Sequence, residues 1–363
     1  MRRMRRRALW GPWQGRWRSW RVVTSLVVVA TLWGVTTLEA QPVSFTAVGS
    51  IPGPIDLVEA SGTTVYAARG ETLTLYDITD LEKPVRRGAH RFPEKIWGLT
   101  VRDSTVYVAA GHSGLFILDV SDPERPLLRG AVTTPGQAKN VAVSGLRAVV
   151  ADHMSGIDVI DLSDESQPVS LGSVFTDGYA RDVATFGRFA YGVDNPSGFY
   201  VLDLEQPEPL EPAGMIQTAP APRFIEMLEA VPGVAVLVGG VPYDPLRALR
   251  SQSASTVPAS ALHLYDVSDP ATLEPLASFP TPGGARGVVI HGQFAYVADG
   301  DAGLTVVDLS TPSEPLLMGT FQTERTARDV AVADTGVLVL IGTIVRGAHT
   351  QDDGDVLLLR SSR

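Results

Sequence analysis

The chain contains no cysteine, so neither a disulfide nor a lipid-modified cysteine can hold it, and its stability must come from a buried core. At 363 residues it is long enough to bury one without covalent staples. Tryptophan is almost confined to the N-terminus: five of the six precede residue 40, and Trp97 is the other. No acidic residue occurs before Glu39, whereas eight arginines lie between Arg2 and Arg21. Catalytic signatures are missing as well. There is no cysteine nucleophile, no Gly-x-Ser-x-Gly elbow, no His-Glu-x-x-His, no Gly-Lys-Ser/Thr phosphate loop and no dinucleotide fingerprint. These absences weigh against an enzyme, although enzymes can also assemble sites from loops that carry no local motif.

The arginine-rich start leads into an apolar run from Val22 to Leu38, with Leu38-Glu39-Ala40 preceding Gln41. A basic segment, an apolar segment and a small residue before a cleavable bond describe an export signal. The run is also about long enough for one tilted membrane span, with its basic flank held in the cytoplasm. Residues 1–40 are therefore read as a signal peptide or signal anchor, and the rest as periplasmic, secreted or cell-surface. A membrane contact is expected only through residues 1–40, if they stay uncleaved. The whole chain has 30 basic and 40 acidic residues. Removing eight Arg and one Glu leaves 22 and 39, a net of −17, a balance that disfavours nucleic acid as a partner.

What is abundant is repetition. Related segments end at Thr79 (LTLYDIT), Ser121 (LFILDVS), Ser163 (IDVIDLS), Glu205 (FYVLDLE), Ser268 (LHLYDVS) and Ser310 (LTVVDLS). An apolar anchor recurs at Leu57, Leu99, Val141, Val183, Ile225, Val288 and Val330. An aspartate recurs at Asp77, Asp119, Asp161, Asp203, Asp266 and Asp308, with Arg360 in the seventh slot. A glycine follows at Gly88, Gly130, Gly172, Gly214 and Gly319. From aspartate to next anchor the gap is 22 in all six cases. From anchor to aspartate it is 20 in five units, 41 in the fifth and 30 in the seventh. Periods near 42 mean small supersecondary units that cannot bury an apolar face alone.

Each unit reads as four short strands bounded by Gly, Pro, Asp and Ser, with no helical periodicity. The expectation is an all-β, seven-bladed β-propeller of four-stranded blades. The seventh unit ends before its fourth strand, and FTAVGSI (45–51) matches LLMGTF (316–321), so an N-terminal strand is expected to complete the last blade. The LFILD, IDVID and LTVVD segments with their Ser-Asp-Pro turns resemble the LVIVD repeat family from about Ser44 to Arg360. That resemblance implies a propeller on bacterial or archaeal surface or exported proteins and no shared activity. Arg360 in the aspartate slot and two insertions depart from its pattern. With no repeated Trp-Asp dipeptide, WD-repeat propellers are the poorer match.

With the four strands of a unit lettered a to d in chain order, the insertions fall at about 241–260 and 343–355, both in b–c loops, which gather on one face and mark that face as functional. Two residues before each anchor stand Ile55, Trp97, Lys139, Arg181, Arg223, Arg286 and Arg328, five of them basic. Two readings follow. One is an electropositive funnel for an anionic ligand, since arginine forks suit carboxylates and phosphates. The other is an inter-blade ion-pair ring that joins Arg328 to Asp56, Arg286 to Asp329 and Lys139 to Asp182. Trp97 is either a stacking platform beside the funnel or a buried inter-blade aromatic. The repeated aspartates read as caps of the turns that follow them. Weaker metal candidates are Asp299 and Asp301 with Asp352, Asp353 and Asp355 for calcium, and His112, Asp152 and His153 for a transition metal. No cofactor is otherwise expected. The leading function is an exported binding or interaction module for an extracytoplasmic protein or an anionic small molecule or glycan. The alternative is a loop-assembled hydrolase or lyase acting on an anionic extracellular substrate, with metal dependence through the same acids and histidines.

Overall fold

Short β-branched and aromatic runs broken by Gly-bearing turns form hairpins, and hairpins stack face to face when both faces are apolar. In a computed structural model, residues 43–206, 210–218, 222–228, 230–240, 260–333, 337–343 and 355–362 are described. Residues 1–40, expected above to be a signal peptide or signal anchor, nearly all of both insertions, and Asp352 and Asp353 lie outside the described residues. Among those described, twenty-eight strands form seven four-stranded antiparallel sheets. Six of them are continuous in sequence: blade 1 (57–91), blade 2 (98–132), blade 3 (140–174), blade 4 (179–216), blade 5 (222–280) and blade 6 (287–321). The seventh joins Thr326–Val332, Val337–Thr343 and Val356–Ser362 to Ser44–Ile51 from the other end of the chain.

The innermost strands adjoin in order, 57–61 against 98–102 and onward to 326–332, which returns to 57–61. Between each neighbouring pair of blades lies one apolar cluster. The cluster between blades 7 and 1 holds Ile51, Val58, Val65, Ile78, Val356 and Leu358, and that between blades 2 and 3 holds Tyr107, Leu115, Ile117, Val141 and Val150. Register places Arg360 opposite Val337, as Asp119 is opposite Thr105 and Asp308 opposite Phe294, so the seventh blade keeps the repeat's frame.

The three sequence markers have separate structural reasons. Each aspartate accepts the backbone N–H two residues on: Thr79 at 2.8 Å, Ser121 at 2.9 Å, Ser163 at 2.9 Å, Glu205 at 3.1 Å, Ser268 at 2.9 Å and Ser310 at 2.8 Å. Except at Gly172, the glycines let the backbone of a neighbouring turn come close. A Cβ on Gly130 would stand 2.1 Å from Glu165 O, and one on Gly214 1.8 Å from Pro270 O. Gly49, on the strand borrowed from the N-terminus, lies against Leu81 O of blade 1 in the same way, at 1.8 Å from an added Cβ. The apolar anchors Val141, Val183, Ile225 and Val330 are buried between inner strands.

Candidate functional site

The face bearing the b–c turns is stitched by backbone bridges between blades. Gly111 pairs with Ala138, His153 with Ala180, and Gly300 with Ala327. Each bridge joins a b–c turn to the start of the next blade's inner strand, which is where the basic residues stand. In blades 4, 5 and 7 that start is a β-bulge. The ladder skips from Ala180 to Asp182, from Pro222 to Phe224 and from Ala327 to Asp329, leaving Arg181, Arg223 and Arg328 as the extra residues. A bulge re-aims a side chain out of the ladder, and all three arginines are exposed. Arg286 is exposed at the matching position in blade 6, its N–H donating to Ala298 O at 2.9 Å. Lys139 sits half-buried in blade 3, where its N–H donates to Ala151 O at 2.7 Å.

Sequence adjacency pairs Lys139 with Asp182 and Arg328 with Asp56; the structure forms neither pair. The bulges turn the following acids inward, toward backbone donors of the next blade. Asp182 accepts from Ile225 N at 3.0 Å, Val183 N at 2.9 Å and the Asn140 side chain. Asp329 accepts from Val58 N at 3.0 Å and Val330 N at 3.0 Å. Asp56 instead accepts from Gly70 N at 2.9 Å and lies 3.6 Å from Lys95. Among the described residues, Lys139, Arg181, Arg223 and Arg328 make no ion pair with a carboxylate. The acids therefore lock blades together while the bases remain available on the rim.

Trp97 is 42 % exposed, which rules out a buried inter-blade role. Its ring lies under the Lys139 ammonium, 3.4 Å from the ring centre, with Lys95 at 5.1 Å. Cations over an indole face are attracted by its quadrupole. Burial, then Arg181 and Lys95, hold the Lys139 ammonium below the ordinary lysine range. Blades 2 to 4 thus concentrate positive charge in one sector, which Arg223, Arg286 and Arg328 continue around the rim.

The histidines sit in this sector. His112, in blade 2's b–c turn, donates its backbone N–H to Glu94 at 2.8 Å, and its Nδ1 lies 3.2 Å from Gly136 O. His153, in blade 3's turn, stacks on Tyr179 at 4.8 Å between ring centres. The other metal candidates have structural tasks. Asp299 is buried, with Thr305 Oγ1 3.3 Å from its Oδ2. Asp301 accepts from Thr326 Oγ1 at 2.7 Å, tying blade 6 to blade 7. Among the described residues, no group of three or more His, Asp or Glu is arranged to hold a metal ion.

One set of structural residues escapes the sequence pattern. Asp152 and Asp299 are fully buried in b–c turns, and Asp194 near the end of the strand that leads into one. Asp152 accepts from Thr134 Oγ1 at 2.7 Å and Gly136 N at 2.5 Å, and Asp194 from Gly178 N at 2.9 Å. Each stands at one offset from its anchor (Val141, Val183, Val288), and that shared offset was the available signal.

Residues 96–134, 135–176, 177–209 and 282–323 match the LVIVD repeat. No curated protein matches the chain. Among solved structures, the β-propeller domain of Cps50 (Swd1) from Myceliophteria thermophila is similar at TM-score 0.68 and 10% identity, covering 88% of this chain and 100% of that one. The WD40 domain of Neurospora crassa Pan2 matches at 0.61 and 14%, over 89% and 96%. A chain of the mitotic checkpoint complex matches at 0.62 and 12%, over 91% and 98%. These likenesses correct the setting aside of WD-repeat propellers: the fold is WD40-like although the Trp-Asp dipeptide is missing. Blade geometry is a backbone property, and here the Asp turn caps and the close-approach glycines supply it by other residues.

Proposed function

We propose that this chain, a propeller built of LVIVD repeats, is an interaction module whose partner presents carboxylates or phosphates to the rim carrying Lys139, Arg181, Arg223, Arg286 and Arg328. The observation that carries this reading is the bulge-mounted set Arg181, Arg223 and Arg328, exposed and without carboxylate partners among the described residues. An acid-rich protein that keeps such cations unneutralised on a rigid frame has an electrostatic footing for an anionic partner.

The test is charge reversal of Arg181, Arg223 and Arg328 to Glu, together, in the purified protein. Anionic glycans, acidic peptides and phosphate compounds that raise the melting temperature of the wild type are expected to lose that effect, with the variant's own fold kept. A variant that folds and responds to the same ligands as the wild type overturns the proposal. Export is part of the same reading and is supported by the basic and apolar halves of residues 1–40. Mass spectrometry of the protein recovered from the cell envelope and medium tests it: a chain starting at Gln41 marks a cleaved signal, an intact one an anchor, and purely cytoplasmic protein rejects export.

A further inference from the structure

His153 occupies a backbone position where the chain elsewhere uses glycine. The three bridging residues are Gly111, His153 and Gly300, and all three have left-handed backbone, with φ of 58°, 54° and 51°. A glycine adopts this conformation freely, whereas a residue with a Cβ is strained there. Strained non-glycine positions that the surrounding fold holds in place are characteristic of functional sites. The bridge puts the imidazole of blade 3 beside blade 4, where its ring stacks on exposed Tyr179, two residues from Arg181. Lys139, Arg181 and His112 are the charged and titratable groups that bear on it, and burial followed by these three holds its proton affinity below that of an ordinary histidine.

We infer that Lys139, Arg181 and His153 form an oxyanion site between blades 3 and 4, taking a carboxylate or a tetrahedral oxyanion of the docked ligand. Lys139 and Arg181 repel one another and both bear on the half-buried His153, and an anion held beside them would relieve that repulsion. Without a ligand His153 is neutral near neutral pH. A bound anion favours the imidazolium, so binding takes up a proton and tightens as pH falls. This inference rests on the proposed function, of which it specifies one subsite.

The probes are sulfate and D-glucuronate, neither of which titrates in the histidine range, with glucose as the neutral control. Isothermal titration calorimetry on the wild type is expected to show binding of at least one anion, roughly tenfold tighter at about pH 5.5 than at about pH 8. Glucuronate alone identifies a planar carboxylate and sulfate alone a tetrahedral group. His153→Gly should melt no lower than the wild type, because strain is relieved, and should lose the pH slope while retaining weak binding. His153→Asn, also tolerated in left-handed backbone, should behave alike and serves if the glycine variant folds poorly. Lys139→Met with Arg181→Met should abolish binding at every pH. Binding of neither anion, glucose binding as well as glucuronate does, or a pH slope unchanged in both His153 variants overturns the inference. If the slope is unchanged while the arginine reversal still abolishes partner binding, the subsite is wrong and the broader reading stands.

Discussion

Glu59 shows what the ring's interior costs. Its inner strand faces a cavity of about 200 Å³ lined also by Thr100, Asn140, Thr185 and Glu226. Burial first, then the charges of Asp329 and Asp182, push the Glu59 carboxyl up to about 8. Asp182 and Asp329 are raised to about 6, burial outweighing the backbone hydrogen bonds they accept. An acid with a raised folded-state pKa binds protons more tightly folded than unfolded, so its contribution falls as pH rises from about 4 to about 8. Asp77 and Asp119 act oppositely. Hydrogen bonds from Thr79 and Arg87, and from Ser121 and Arg129, lower them to about 2, so their contribution is lost as pH falls from about 4 toward 2. Melting temperature should therefore peak between about pH 4 and 6. Glu59→Gln should flatten the alkaline side, gaining about 2 kcal/mol over the wild type at about pH 9 and almost nothing at about pH 5. Denaturant titrations at the two pH values check this; equal gains at both would mean that Glu59 is uncharged or solvated throughout.

At the scale of the element, blades are joined by close backbone approach as much as by apolar burial. Gly130→Ala should cost about 1–3 kcal/mol, because the added methyl meets Glu165 O and Pro168 and the turn must move. Gly172→Ala tests a different cause. Its space is open, the nearest atom being Leu210 Cδ1 at 4.0 Å, but its φ is 132°, so strain alone should cost on the order of 1 kcal/mol. Equilibrium urea unfolding separates the two, and equal, near-zero costs would show that the turns float freely. These same elements explain what could be read in advance. The aspartate caps were legible because their donors lie two residues away, and the strands because their apolar runs are short and glycine-bounded. The partners of the rim were not. Whether Lys139 meets Asp182 depends on a bulge at Arg181 that turns the acid toward Ile225 N, and no local pattern announces an extra residue in a ladder. Trp97 was placed at the rim but not under Lys139, since that contact crosses from blade 2 to blade 3.

For the whole molecule, closure decides stability. A linear array would leave two unpaired sheet edges and two uncovered apolar faces, each inviting association. Here Ser44–Ile51 pairs along Val356–Ser362 with Ile51 opposite Val356, and it brings Ile51 fully into the cluster between blades 7 and 1. The first described residues and the last thus share one sheet, so the ring cannot open without losing that ladder. Ile51→Ala should cost about 2–5 kcal/mol by leaving a cavity at the seam. Removing residues through Ile51 should do more. It exposes the edge of Val356–Ser362 and takes Gly49 away from Leu81, so the truncated protein is expected to unfold at lower urea and to self-associate through the open edge. Size-exclusion chromatography with urea titration makes the comparison. A truncated protein that stays monomeric with the midpoint of the intact one would show that the seventh sheet holds on three strands and that the borrowed strand is dispensable.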